Sequence, residues 1–216
     1  MMHDLLRHKL ERIAMDGVGK FPIFILPTIN KCFELKIIPE NSIESIASWY
    51  IFMKKIEFPD KQLIFTEGCQ EGGPHIGSWD LGERYATSII NDLNRWTVAW
   101  IDWNLILNEK GGPNHVKNYC SAPIIVDTRS QELLYQSSYY YIGHFSRFIL
   151  PGDKIVNSVN TNENIEVLSS IKNDESSTQT VILNKNDVVV EIEYNRDKIR
   201  SVFTIPKRSI ITCITY

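Results

Sequence analysis

The chain has 216 residues, 43% of them hydrophobic and 23% charged, and carries a formal net charge of -3. That composition is globular and long enough for one or two domains, which excludes general disorder. No basic excess and no Lys/Arg-rich run interleaved with aromatics is present, so nucleic acid is excluded as the expected partner.

Cysteine usage adds little. Cys32, Cys69, Cys120 and Cys213 are scattered without a CxxC pair, so neither a zinc site nor a dense disulfide framework is expected. The start, Met1-Met2-His3-Asp4, lacks the basic-then-apolar order of a secretory signal, and Asn-x-Ser/Thr is absent throughout. The apolar run at 21–26 falls far short of the ~20 residues needed to span a bilayer.

Residues 1–42 are assigned no function. Leu6, Leu10 and Ile13 have helical spacing, and 21–26 could form a buried strand, but no chemistry is displayed there. From 43 the pattern becomes regular. The segment 43–50 is apolar and ends in Trp49-Tyr50, 61–67 is a second strand ending in Glu67, and 97–104 is a third ending in Asp102-Trp103-Asn104. Between the second and third, Tyr85, Ile89, Leu93 and Trp96 recur at helical intervals. Strand, helix and strand with polar groups at the strand ends predict a parallel α/β arrangement.

A further helix is predicted over 136–148, with Tyr140, His144 and Phe148 along one face, stopping at Pro151-Gly152-Asp153. Beyond that turn the chain is rich in Val, Ile and Thr and has no tryptophan. The runs at 165–171, 179–184, 187–194, 199–205 and 209–216 predict a β-sandwich or similar antiparallel module. The expected division is therefore 1–42 unassigned, 43–150 a partial barrel, and 151–216 a β-sandwich.

The chemically loaded stretch lies between 63 and 103. An apolar strand, Leu63-Ile64-Phe65-Thr66, delivers the single carboxylate of Glu67 to a loop, and four of the five tryptophans (Trp79, Trp96, Trp100, Trp103) follow within it. A carboxylate near aromatic platforms suits sugar chemistry, and Glu67 is read as a glycosidase nucleophile. The bland alternative is a solvated strand terminus. Trp79 and Trp100 are read as packing residues, His144 as a hydrogen-bonded structural histidine, and Asp80, Asp102 and Asp127 as anchors of loop geometry.

Several ordered motifs resemble the glucosylceramidases of glycoside hydrolase family 30. They are Phe65-Thr66-Glu67-Gly68-Cys69, Gly77-Ser78-Trp79-Asp80, Trp100-Ile101-Asp102-Trp103-Asn104-Leu105 and Asn108-Glu109-Lys110-Gly111-Gly112-Pro113-Asn114. Ser121-Ala122-Pro123-Ile124-Ile125-Val126-Asp127 and Tyr141-Ile142-Gly143-His144-Phe145-Ser146-Arg147-Phe148 continue the likeness. The resemblance implies the carboxyl-terminal part of a (β/α)8 TIM barrel followed by a β-sandwich, and retaining hydrolysis of glucosylceramide to glucose and ceramide. It implies Glu67 as nucleophile, with Tyr50 hydrogen-bonded to it, Trp103 and Asn118 on the sugar, and Cys69 as a free wall residue. It implies no metal or organic cofactor, a glycolipid substrate met at a membrane surface, an activator protein by analogy, and a lysosomal setting.

The chain departs from the family pattern at Ser48, where a histidine is usual, at Gly68, where alanine is common, and at His115, where an aromatic stands. A retaining glycosidase also needs a second carboxyl group about 5–5.5 Å from the first. The Asn-Glu-Pro type motif that supplies it in the family is not found before Glu67. Glu109 lies too late in the chain, and Glu40, Glu44 and Glu57 lack supporting context. The chain therefore reads as an incomplete enzyme lacking its acid/base, because three strands cannot close an eight-stranded barrel. The alternative is a non-catalytic carbohydrate- or glycolipid-binding remnant.

Overall fold

The computed structural model describes residues 57–114, 116–196 and 199–216. The expectations for 1–42, for the strand at 43–50, and for Ser48, Tyr50 and His115 lie outside the described residues.

Strand β1 (Leu63–Gly68) and strand β3 (Thr97–Asp102) pair in parallel, joined by helix α1 (Asp80–Leu93). Parallel pairing requires such a crossover, because a tight turn would return the chain antiparallel. The helix is set by Tyr85, Ala86, Ile89 and Ile90, whose i, i+3, i+4 spacing gathers them on one buried face. Asp80 and Glu83 in its first turn complement the positive end of the helix dipole. It ends at Leu93, short of the predicted Trp96, which takes a left-handed φ of 67° as the chain turns into β3.

Short pairings elaborate the ends of this unit. Strand β2 (Gln70–Glu71) pairs antiparallel with β5 (Cys120–Ser121), while β4 (Ile106–Asn108), β6 (Ile124–Asp127) and β7 (Glu132–Tyr135) form a three-stranded ribbon. Runs of two to four residues are too short to carry a period, so the sequence did not announce them.

Helix α2 (Ser137–Ser146) follows. Its buried stripe is Tyr141, Phe145 and, just past its end, Ile149, one position on from the face expected, and Tyr140 is 58% exposed. The helices approach closely at Gly82, where a Cβ would lie 2.6 Å from Tyr141 and 2.9 Å from Ser137. Only glycine admits that contact.

The β-rich part comprises β8 (Lys154–Val156), β9 (Ile165–Ile171), β10 (Thr178–Asn184), β11 (Val190–Arg196), β12 (Ile199–Ile205) and β13 (Ser209–Thr215). Four of them make an antiparallel sheet in the order β13-β10-β9-β8, and β11-β12 is a separate hairpin. Every residue of β10 is buried, because both faces of the sheet are covered. Val181, Leu183 and Leu168 point to α1 and α2, sharing a core with Ala86, Ile89, Ile90, Tyr141, Phe145 and Ile149. Ile182 and Ile165 face the hairpin and meet Ile205, Ile192 and Phe203. The period-two alternation of a strand thus builds two cores at once. The fold is the carboxyl-terminal part of a TIM barrel followed by a β-sandwich.

Candidate active site at the end of the parallel pair

Glu67 is the penultimate residue of β1 and is partly buried. The ladder is irregular just there. Phe65 pairs with Trp100 and Gly68 with Asp102, so three steps on β1 match two on β3. Such a bulge inserts a residue and re-aims the side chains around it. Gly68 is thereby carried to the side of Trp100, whose ring lies 2.5 Å from the point a Cβ would occupy.

Trp100 is a packing residue. It stacks on Phe65 at 5.4 Å and meets Tyr85 edge-on at 5.0 Å, and its indole N–H donates to Ser88 Oγ at 3.2 Å. Trp79 is half exposed but tied down, with its indole N–H donating to the Arg208 carbonyl at 2.9 Å and its ring edge-on to Tyr141. His144 meets Thr212 Oγ1 at 2.8 Å through Nδ1, and burial lowers its pKa.

Trp103 stands at the carboxyl end of β3, 39% exposed. Its backbone N–H donates to Gly68 O at 2.8 Å, which brings the start of its loop to the end of the strand carrying Glu67. The same N–H donates to Asp102 Oδ1 at 2.9 Å, and the Tyr85 hydroxyl donates to that oxygen at 2.7 Å. Burial pushes the Asp102 carboxyl up to about 7, against the pull of Tyr85 and Trp103. Asp102 Oδ2 is buried and unpartnered among the described residues, so no donor stabilises its charged form there.

Asn118 lies in the loop before β5, where its Nδ2 donates to Glu71 Oε1 at 3.1 Å. Its carbonyl accepts from Asn114 Nδ2 and, at 3.5 Å, from the Cys120 thiol. Cys69 is partly buried and free, and its Sγ lies 3.4 Å from Cys120 Sγ. Burial pushes the Cys120 thiol up, and the carboxylates of Glu71, Asp102 and Glu67 push the same way. Glu67, Cys69, Trp103 and Asn118 therefore gather around the ends of β1, β3 and β5, whereas Tyr50 is outside the described residues. Sequence reasoning missed Glu71 and Cys120. Only the antiparallel pairing of Glu71 with Cys120 brings them into the group.

The acidic residues read as anchors behave so. Asp80 pairs with Arg208 at 2.7 Å, and Asp127 accepts from the backbone N–H and guanidinium of Arg129. Glu109 accepts from Thr128 N–H at 3.1 Å, a hydrogen bond that lowers its pKa. A carboxyl held ionised in a turn is a poor proton donor.

Parallel strands joined by a helix, with a carboxylate and an indole at their carboxyl ends, are the arrangement found at the carboxyl-terminal face of a TIM barrel. Residues 53–149 match the glycosyl hydrolase family 30 TIM-barrel domain. It is 36% identical over 168 residues to putative glucosylceramidase 4 of Caenorhabditis elegans, covering 73% of this chain and 32% of that protein. To the lysosomal acid glucosylceramidase of Mus musculus it is 38% identical over 135 residues, covering 60% of this chain and 26% of the relative. Among solved structures, SrfJ from Salmonella typhimurium superposes with a TM-score of 0.72 at 29% identity, covering 78% of this chain and 38% of that one. The chain spans about a third or less of the length of the curated relatives.

Proposed function

We propose that this chain is the nucleophile-bearing portion of a retaining β-glucosidase of the glucosylceramidase kind, cleaving glucosylceramide to glucose and ceramide. The observation that carries the reading is the adjacency of Glu67 and Trp103 at the carboxyl ends of two parallel strands, tied by the Trp103 N–H to Gly68 O bond of 2.8 Å. The match of 53–149 to the family 30 barrel and the names of the nematode and mouse relatives support the choice of chemistry and lipid.

In this reading the ionised carboxylate of Glu67 attacks the anomeric carbon and forms a glycosyl ester that water then hydrolyses. The indole of Trp103 offers an apolar face and an N–H to the sugar ring. Asn118 donates its amide hydrogen to Glu71, which leaves its Oδ1 for a sugar hydroxyl. Cys69 lines the wall, and Tyr50 is assigned to the nucleophile as a hydrogen-bond donor by sequence likeness alone. The proton donor belongs to barrel strands other than β1 and β3. A lysosomal setting is proposed by likeness to the mouse relative, and a membrane-surface substrate and an activator protein by the family resemblance of the motifs.

The test has two arms. The 216-residue chain alone should hydrolyse a chromogenic β-glucoside no faster than its Glu67→Gln variant. In a protein extended to a complete barrel, a mechanism-based glucosyl label should attach to Glu67, and Glu67→Gln should abolish turnover. Labelling of another carboxylate would overturn the assignment.

A further inference from the structure

Cys69 and Cys120 are 51 positions apart in sequence, yet their sulfurs meet at 3.4 Å beside the proposed nucleophile. Cys69 immediately follows β1, and Cys120 opens β5. Cys120 is fully buried and firmly placed. Its N–H donates to Gly111 O at 3.0 Å, and a Cβ on Gly111 would lie 2.6 Å from its carbonyl. Cys213 lies in β13, in the sheet of the β-sandwich, where it packs with the hairpin core.

We propose that Cys69 and Cys120 are a redox pair that closes to an intramolecular disulfide, stapling the exit of the nucleophile strand to the loop that carries Asn118. A disulfide bond needs its sulfurs about 2.05 Å apart, so the thiols must approach by little more than an ångström. The oxidant is a low-molecular-weight disulfide of the glutathione type. Cys69, partly exposed, loses its proton and attacks one sulfur of the oxidant, forming a mixed disulfide and releasing one thiol. Cys120 then loses its proton and displaces the second thiol, so the oxidant gains the two electrons that the protein sulfurs lose. Two protein thiols and one disulfide become one protein disulfide and two small thiols.

The surroundings fix when this happens. Burial, the contact with Cys120 and the carboxylates of Glu71 and Asp102 all push the Cys69 thiol up, and burial raises Cys120 against the opposing pull of its hydrogen bond with Cys69. Neutral thiols are slow nucleophiles. Closure of the folded pair at neutral pH is therefore slow. The inference does not depend on the chemistry assigned to Glu67, because it concerns sulfur alone.

The experiment refolds the full chain from a reduced, denatured state in a buffer of reduced and oxidised glutathione. Free thiols are blocked with an alkylating agent, and peptides are mapped without reduction. The expected product is a Cys69–Cys120 linked peptide, about tenfold in excess of any other cysteine pair and lost on treatment with dithiothreitol. A Cys120→Ala variant should instead accumulate glutathione on Cys69. Separate alkylation of Cys69 and Cys120, random pairing, or linkage of either to Cys32 or Cys213 would overturn the proposal. A Cys120→Ala chain without the Cys69 adduct would overturn the order of attack.

Discussion

The guanidinium of Arg208, in the turn between β12 and β13, lies 2.6 Å from the carboxylate of Glu83 in the first turn of α1. Arg208 also pairs with Asp80 at 2.7 Å, and its carbonyl accepts from the Trp79 indole. One turn of the β-sandwich is thus clamped onto the start of the helix that connects the two site strands.

Removing that clamp should cost stability in a pH-dependent way. Burial raises the Glu83 pKa, and Arg208 opposes the shift. Arg208→Ala is expected to lower stability by about 1–3 kcal/mol at neutral pH, below the value for a fully buried pair because Arg208 is partly exposed. Without the guanidinium the folded pKa of Glu83 rises further. The stability it contributes is present below the unfolded value near 4.5 and is lost as pH rises through the folded one, so the deficit should shrink in acid. Urea titrations at pH 4.5 and 7.5 check this; an equal deficit at both would contradict it.

Asp92 and Asp102 should impose a second pH dependence. Burial pushes both carboxyls up to about 7 from an ordinary 3.8. Since the folded values are raised, the protonated forms favour the fold. Their contribution is complete below about pH 4 and is lost as pH rises through 7. Asp92→Asn should flatten the decline of the denaturation midpoint between pH 4 and 7.5, read by circular dichroism.

The core shared by the helices and the sheet gives a packing prediction. Leu168 is fully buried between β9 and the helix pair. Leu168→Ala should cost about 2–5 kcal/mol, through lost burial and the cavity left behind. A calorimetric scan that left the melting temperature unchanged would refute the shared core.

Asn184 holds the two layers of the β-sandwich together. Its Nδ2 donates to the carbonyls of Val188, Ile205 and Pro206, with no exposure to solvent. Asn184→Ala strands the buried Ile205 carbonyl and releases the other two, and should cost about 1–3 kcal/mol. Hydrogen exchange should accelerate first at the β11-β12 hairpin if the linkage is as described.

Tyr85 reaches the site through Asp102, so its effect should be on geometry. In a protein extended to a complete barrel, Tyr85→Phe is expected to raise KM for a β-glucoside by about three- to tenfold with a smaller change in kcat. It frees Asp102 Oδ1 from one of its two donors and loosens the backbone that sets Trp103. A loss confined to kcat would place Tyr85 in the chemistry instead.

The long periodic elements were legible because burial imposes their period on the residues themselves. The Val/Ile/Thr-rich runs of β9 to β13 between polar turns, the helical spacing of Tyr85, Ile89 and Leu93, and the apolar run ending in Glu67 are all local patterns that burial imposes on an element. The motifs from Phe65 to Phe148 likewise carried the family, since their residue types and order survive without coordinates. Tertiary structure alone decided the rest. The bulge that carries Gly68 to the Trp100 side, the Tyr141 rather than Tyr140 stripe of α2, the Arg208 clamp 125 positions from Glu83 and the meeting of Cys69 with Cys120 depend on contacts between segments far apart in the chain. A local pattern records which side of an element faces the interior; it holds no information about which distant segment arrives there.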